Sequence, residues 1–66
     1  MEIIVNGESQ NIQENCTIAE LLNKLQVREK TMAVAVNMEI VKESQWEHHK
    51  IKEGDKLELL HFVGGG

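Results

Sequence analysis

The clearest structural signal in this chain of 66 residues is the segment TIAELLNKLQ at positions 17–26. Thr17 and Glu20 have the spacing of a capping box, in which each side chain accepts a hydrogen bond from the other residue's backbone N–H at the start of a helix. Apolar residues follow at positions 18, 21, 22 and 25, so they share one helical face. The segment therefore predicts a helix over residues 18–26 whose apolar face must be covered.

Short β-rich segments flank the predicted helix. Before it, residues 1–5 and 8–13 are predicted to form a hairpin around Asn6-Gly7, a dipeptide that suits the positive φ angles of a two-residue turn. After it, the sequence predicts a strand at residues 32–36, a turn at 37–39, a short strand at 40–41, an irregular polar connection at 42–52, a turn at 53–55 and a final strand at 56–63.

These elements predict an α+β roll, in which one main helix covers one face of a small mixed sheet of four to five strands. Alternate strand positions and the helical stripe supply the predicted core: Ile3, Val5, Ile18, Leu21, Leu22, Leu25, Val34, Val36, Leu57 and Leu59. Ile12 is a further candidate for an inward position, and Trp46 is predicted to anchor the connection against the sheet. Residues 1–63 then form one domain, and residues 64–66 form a glycine tail.

Size and composition limit the classes of function that this chain is expected to have. A domain this small has little interior for an enclosed substrate pocket, which favours a carrier or binding module over an enzyme. The formal net charge is −4 and the seven basic residues are scattered, so nucleic-acid binding is disfavoured. No segment has the length of a membrane span, and the N-terminal residues lack the pattern of a signal peptide. With Cys16 as the single cysteine, no internal disulfide is possible, and we expect a cytoplasmic protein.

Three glycines, Gly64, Gly65 and Gly66, directly follow the last predicted strand. Without Cβ atoms such a segment can thread a narrow channel in a partner, and the group carried at its tip is the Gly66 α-carboxylate. Adenylation with ATP would turn that carboxylate into an acyl donor, and a sulfur donor could then displace AMP and leave a thiocarboxylate. The tail therefore indicates a carrier that needs no catalytic residue of its own, although a frayed terminus remains the simpler alternative.

Taken together, the motifs resemble the family of small β-grasp (ubiquitin-like) sulfur carriers that end in Gly-Gly, and within it the thiamine-biosynthesis, or ThiS, family. The resemblance covers essentially the whole chain and rests on the start at residues 1–7, TIAELL at 17–22, AVAVN at 33–37, Ile40-Val41, Gln45-Trp46, the Gly54-Asp55 turn with Leu57-Glu58, and Gly65-Gly66. The segment with Trp46, a few residues ahead of the Gly54-Asp55 turn, resembles the corresponding segment of the thiazole-pathway members. Lys42-Glu43 departs from the Pro-Arg that the family often shows there, and Gly64 is one glycine more than usual.

The resemblance implies a cycle with several partners. An E1-like, ThiF-like adenylyltransferase would activate Gly66 with ATP and Mg²⁺, and a persulfide-bearing protein would donate the sulfur. A ThiG-like thiazole synthase would then receive it for the thiamine thiazole ring. The carrier itself would bind no cofactor. A carrier for molybdopterin or another pathway, a ubiquitin-like protein modifier and a pure interaction domain remain as alternatives.

Leu60, Phe62 and Val63 are the predicted docking residues, since they lie immediately before the tail. If strand alternation holds, Leu60 and Phe62 face away from Leu57 and Leu59, and an apolar outward face next to the tail is typical of a partner-docking surface. The alternative for Phe62 is that it folds back over the core, because isolated exposed apolar residues are common.

Other candidate side chains favour structural interpretations. Cys16 lies just before the helix, where a lowered thiol pKa would allow a persulfide relay, but a free cysteine is more often a small buried apolar residue. His48, His49 and His61 could be considered with Cys16 as zinc ligands. They lack the paired spacing of a zinc site, so no metal site is expected.

Overall fold

Five strands, one α-helix and two short 3₁₀ helices make up residues 1–61, the part of the chain that the structure, a computed structural model, describes. The strands are β1 (Glu2–Val5), β2 (Glu8–Asn11), β3 (Thr31–Val36), β4 (Glu39–Val41) and β5 (Lys56–His61). The α-helix, α1, spans Ile18–Lys24, and the 3₁₀ helices span Arg28–Lys30 and Glu43–Gln45.

The strands form one mixed sheet in the order β2-β1-β5-β3-β4. Strand β5 pairs in parallel with β1 and antiparallel with β3, and the two hairpins β1–β2 and β3–β4 are antiparallel. With α1 packed on one face, this arrangement confirms the predicted β-grasp roll. The last strand of the described residues is the central strand of the sheet, with β1 beside its first half and β3 along its length.

The start of α1 confirms the predicted capping box. The Glu20 N–H donates to Thr17 Oγ1 at 3.2 Å, and the Thr17 N–H donates to Glu20 Oε1 at 2.9 Å. The connection supplies two further acceptors, because the Ile18 N–H donates to the His49 carbonyl and the Ala19 N–H to the Trp46 carbonyl. Four N–H groups of the first turn are thereby satisfied, which a helix start leaves without intrahelical partners.

The end of α1 differs from the prediction, since the helix stops at Lys24 and does not reach position 26. Gln26 has a positive φ of 59°. Its N–H donates to the Asn23 carbonyl, and the Val27 N–H donates to the Leu22 carbonyl. This is a Schellman motif, in which glycine usually takes the left-handed position, so a glutamine there leaves no signal in the sequence.

Both hairpins turn through two residues of positive φ, as the twist of the strands favours. Asn6 and Gly7 have φ 50° and 84°, which confirms the first predicted turn. The second turn consists of Asn37 and Met38, with φ 51° and 72°, so the prediction that Glu39 belongs to the turn was wrong and Glu39 begins β4. Other boundaries shift slightly: β2 ends at Asn11 and β3 begins at Thr31.

The core lies between α1 and the inner face of the sheet. Nine of the ten predicted core residues are buried, and Leu25 is half-buried at the edge because the helix ends beside it. Besides Ile12, which confirms its predicted inward position, the buried cluster also includes Cys16, Ala19, Trp46 and Ile51. Three of these four come from the loops around α1, where no periodic pattern marks a residue as inward.

Trp46 anchors the connection, as predicted, with 1% of its surface exposed. Its indole N–H donates to the Val41 carbonyl at 2.9 Å. The connection is not wholly irregular: it contains the 3₁₀ helix Glu43–Gln45 and an isolated antiparallel bridge between Thr17 and Lys50. The tryptophan therefore joins the β3–β4 hairpin to the start of α1.

Among residues 1–61, no helix has the length and apolar character needed to cross a bilayer.

We predict that Trp46→Ala lowers the free energy of unfolding by about 3–5 kcal/mol, because it empties a large buried site. That loss is comparable with the whole stability of a domain this small. Trp46→Phe keeps most of the volume but leaves the Val41 carbonyl without its donor, so it should cost about 1–3 kcal/mol. Urea unfolding of both variants tests this prediction.

Lys42→Ala, an exposed position in the same connection, is the control and should change the free energy of unfolding by less than about 0.5 kcal/mol. Equal stability of Trp46→Ala and wild type would contradict the anchoring role.

Candidate functional site

The candidate site begins where β5 delivers the chain to its last residues. The described part of β5 ends at His61, whose Cα pairs with that of Thr31. Five predicted site residues, Phe62, Val63, Gly64, Gly65 and Gly66, lie outside the described residues. Leu60 is the predicted docking residue that the structure describes.

Leu60 lies on the outer face of the sheet, as the alternation of β5 predicts. Its exposed fraction is 54%, whereas Leu57 and Leu59 on the inner face are 1% and 8% exposed. Its partner on β3 is Ala33. An apolar side chain is thus exposed to solvent one residue before the end of the described chain, and its role in docking stays a prediction.

An apolar strip continues from Leu60 across the outer face. Ala33 pairs with Leu60, and Ala35, two residues further along β3, pairs with Ile40 of β4, whose side chain is 64% exposed. We call Leu60, Ala33, Ala35 and Ile40 the outer strip. Ala33 is half-buried and Ala35 is buried, so the strip exposes mainly the apolar side chains at its two ends, Leu60 and Ile40.

The charged residues of β5 lie beside the outer strip. Lys56 and Glu58 alternate with the buried Leu57 and Leu59, so they share the outer face with Leu60. Lys56 pairs with Ile4 of β1, and Glu58 pairs with Ala35 of β3. The face is therefore apolar toward the tail end of β5 and charged toward its start, which gives it a direction that a partner can recognise.

Cys16 is part of the core rather than of this face. It is buried, and its Sγ lies 3.4 Å from the Thr17 carbonyl oxygen. Burial raises the pKa of the thiol above 9.0, the Glu20 carboxylate raises it further, and the Lys24 ammonium opposes them. A buried thiol that keeps its proton at neutral pH fits the structural interpretation and not a reactive persulfide relay.

His61 is exposed at the end of β5, while His48 and His49 lie in the connection near α1. Within residues 1–61, no three histidine, cysteine or acidic side chains are grouped so that they could hold a metal ion.

Sequence reasoning missed most of the outer strip. The sequence placed Ile40 in a strand but did not indicate which face of the sheet it occupies. Ala33 and Ala35 carried no signal either, because alanine occurs on both faces of a sheet. The register of β4 on β3 and of β3 on β5 places them beside Leu60. Asn6 was read as a turn residue, yet its side-chain Oδ1 also accepts a hydrogen bond from the Leu59 N–H at 2.8 Å.

Comparison with known proteins identifies similar chains of the same size and shape. A family model described as the ThiS family matches residues 3–66. A sulfur carrier protein ThiS of Escherichia coli is 33% identical over 66 residues, with all of both chains covered. The crystal structure of a thiamine biosynthesis protein (ThiS) from Geobacter metallireducens superposes with a TM-score of 0.84 at 33% identity, again over both complete chains. A thiazole synthase of Paramagnetospirillum magneticum is 39% identical over 66 residues, and there the chain spans 20% of the relative's length.

For Cys16 we predict slow alkylation in the folded protein. At pH 8, iodoacetamide should react at least about tenfold more slowly with the native protein than with the protein in urea, because burial hides the thiol and suppresses its thiolate. Intact-mass spectrometry over time measures both rates, and equal rates would contradict the buried position.

The same shift in pKa predicts a pH dependence of stability. Above 9.0, the ordinary pKa of the group, the unfolded chain loses the thiol proton first, so the free energy of unfolding should fall as the pH rises toward the folded pKa. Cys16→Ala should remove this part of the alkaline slope.

Proposed function

The chain belongs to the ThiS family, and we propose that it is a sulfur carrier protein of thiamine biosynthesis. The observation that carries this proposal is the match, over the full length of both chains, to a sulfur carrier protein ThiS from Escherichia coli. The common fold supports it, because the Geobacter metallireducens protein with the same architecture is a thiamine biosynthesis protein. The matched region includes Gly65 and Gly66.

The proposed chemistry takes place at the Gly66 carboxylate. One carboxylate oxygen attacks the α-phosphorus of ATP, held with Mg²⁺ by an E1-like partner, and pyrophosphate leaves. The terminal sulfur of a partner's persulfide then attacks the carbonyl carbon of the acyl adenylate and AMP leaves, which forms an acyl disulfide. A thiol reduces that disulfide, so that the thiocarboxylate remains on Gly66 and the sulfur donor leaves as a mixed disulfide with the thiol.

The contribution of the chain to this chemistry is delivery rather than catalysis. Adenylation and sulfur transfer are carried out by the partners, so we propose that the protein is a co-substrate and not an enzyme. Its three terminal glycines offer no side chain that would obstruct a partner's channel. Because ATP and reduced thiols are plentiful in the cytoplasm, we place the cycle there.

Thiazole synthase is the proposed acceptor of the sulfur. The Paramagnetospirillum magneticum relative named thiazole synthase contains a region similar to this whole chain, which supports a working association between such a domain and that enzyme. We propose that the outer strip, together with Phe62 and Val63, which follow β5 in the sequence, docks the adenylyltransferase and the synthase. An exposed apolar face next to the reacting terminus suits alternating partners, since each can cover it and then release it.

We predict that the protein gains about 16 Da, the difference between sulfur and oxygen, when it is incubated with ATP, Mg²⁺, an adenylyltransferase of this family and a persulfide donor. Fragmentation should place the gain on Gly66. A variant that lacks Gly66 should fold normally and gain nothing, because the carboxylate then lies one residue short of the partner's reacting groups. Transfer of sulfur from the loaded protein to thiazole synthase would identify the pathway. Transfer only to a molybdopterin-forming enzyme, or conjugation to lysines, would identify one of the alternative roles.

We predict that Leu60→Asp raises the KM for the carrier in adenylation by about tenfold or more, since a charge in a central apolar contact removes a binding hot spot. Because the side chain is 54% exposed, the free energy of unfolding should change by less than about 1 kcal/mol. Met38→Asp is the matched control: Met38 is 90% exposed in the β3–β4 turn, outside the outer strip, and the same added charge should leave KM unchanged. An equal effect of the two variants would indicate general charge repulsion rather than docking at Leu60.

A further inference from the structure

The two ends of β5 are each held by an asparagine side chain from a hairpin turn. At the start of the strand, Asn37 Oδ1 accepts a hydrogen bond from the Lys56 N–H at 3.0 Å. Near its end, Asn6 Oδ1 accepts one from the Leu59 N–H at 2.8 Å. Both asparagines occupy the first position of a two-residue turn and have positive φ, 50° for Asn6 and 51° for Asn37. The same device therefore acts twice, at opposite ends of the strand that leads to the tail.

The hydrogen bond from the Leu59 N–H to the Asn6 side chain extends the β1–β5 ladder beyond its last backbone hydrogen bond. Strand β1 pairs with β5 through two residue pairs, Ile4 with Lys56 and Val5 with Leu57. The Asn6 N–H still donates to the Leu57 carbonyl at 2.9 Å, after which β1 turns away. The next donor on this edge of β5 is the Leu59 N–H, and the Asn6 amide oxygen takes the place of the missing strand.

On the other edge of β5, the pairing with β3 is regular at Leu59 and becomes irregular just beyond it. The register between β3 and β5 shifts between Thr31 and Ala33, opposite Leu60 and His61. A bulge of this kind bends a strand and interrupts its ladder. The Asn6–Leu59 hydrogen bond therefore holds β5 at the last residue before its pairing with β3 reaches the irregular region, two residues before the end of the described chain.

From this geometry we propose that Asn6 is a positioning residue for sulfur loading: its side chain fixes β5 at Leu59, and thereby the alignment of Gly66 in the adenylating partner. This inference rests on the proposed function. It assigns Asn6 a role beyond that of a turn former. Small errors in the placement of a reacting group lower the rate of a step even when binding is intact.

The turn-forming role and the positioning role can be separated by choice of side chain. Asn6→Gly keeps the freedom to adopt positive φ but removes the acceptor, whereas Asn6→Asp tolerates the turn and keeps an acceptor oxygen. Asn37→Gly is the control, because it removes the same kind of acceptor from β5 at the end away from the tail, and it also removes the Asn37 Nδ2–Asp55 Oδ1 hydrogen bond.

The experiment measures thiocarboxylate formation by intact mass at varied carrier concentration, with ATP, Mg²⁺, the adenylyltransferase and the persulfide donor. Asn6→Gly should lower kcat about tenfold with KM within about twofold of wild type, because the outer strip is untouched and the tail is misaligned. Asn6→Asp should restore kcat, and Asn37→Gly should leave it near the wild-type value. Thermal unfolding should show at least as large a loss of stability in Asn37→Gly as in Asn6→Gly, so a lower stability does not explain a loss of kcat in Asn6→Gly alone.

Amide hydrogen exchange supplies a second measurement that does not depend on the partners. In Asn6→Gly the Leu59 amide should exchange about tenfold faster or more, and in Asn37→Gly it should not. Wild-type kcat in Asn6→Gly, or equal loss in both glycine variants, would overturn the positioning role while leaving the carrier function intact. Failure of the wild-type protein itself to gain sulfur with active partners would instead overturn the proposed function, and the positioning role with it.

Discussion

The parallel pairing of β1 with β5 is the contact on which the rest of the structure depends. The Ile4 N–H donates to the Asp55 carbonyl and the Asn6 N–H to the Leu57 carbonyl, both at 2.9 Å, across about fifty residues of sequence. A parallel pair needs a long crossover, and here the helix and the second hairpin lie within it. The pairing therefore places β5 in the middle of the sheet, and α1 covers the inner face.

Central placement of β5 gives its two faces different tasks. The inner residues Leu57 and Leu59 join the core, while Leu60 on the outer face begins the apolar outer strip. A carrier needs this division, because it must remain folded while it passes between partners. The side chains that stabilise the domain lie on one side of the strand, and the outer strip, the surface proposed for docking, lies on the other.

The connection after β4 shows how a small domain completes its core with loop residues. Trp46 fills the space beside α1, and carbonyls of the same connection accept the N–H groups at the helix start. Cys16 and Ile51 are also buried there, so these three residues of the core come from segments outside the strands and α1. A chain of this length cannot cover the helix with secondary structure alone, since so much of a small domain is surface.

Local chemistry in the sequence was sufficient to predict several elements: the capping box of α1, the Asn6-Gly7 turn, the alternation of β5 and most of the core. Each depends on neighbours within a few residues, and that range is what a pattern records. The glycine tail likewise indicated candidate chemistry at the Gly66 carboxylate, because a run of glycines, which have no side chains, is evident from the sequence alone. The end of the helix at Lys24 and the start of β4 at Glu39 were not predicted, since left-handed residues other than glycine, such as Gln26 and Met38, carry little local signal. The order of strands, the grouping of Ala33, Ala35 and Ile40 with Leu60, and the bond from Asn6 to Leu59 arise from pairings between distant segments. Such pairings depend on which surfaces meet when the core closes, so they exist only in the folded molecule.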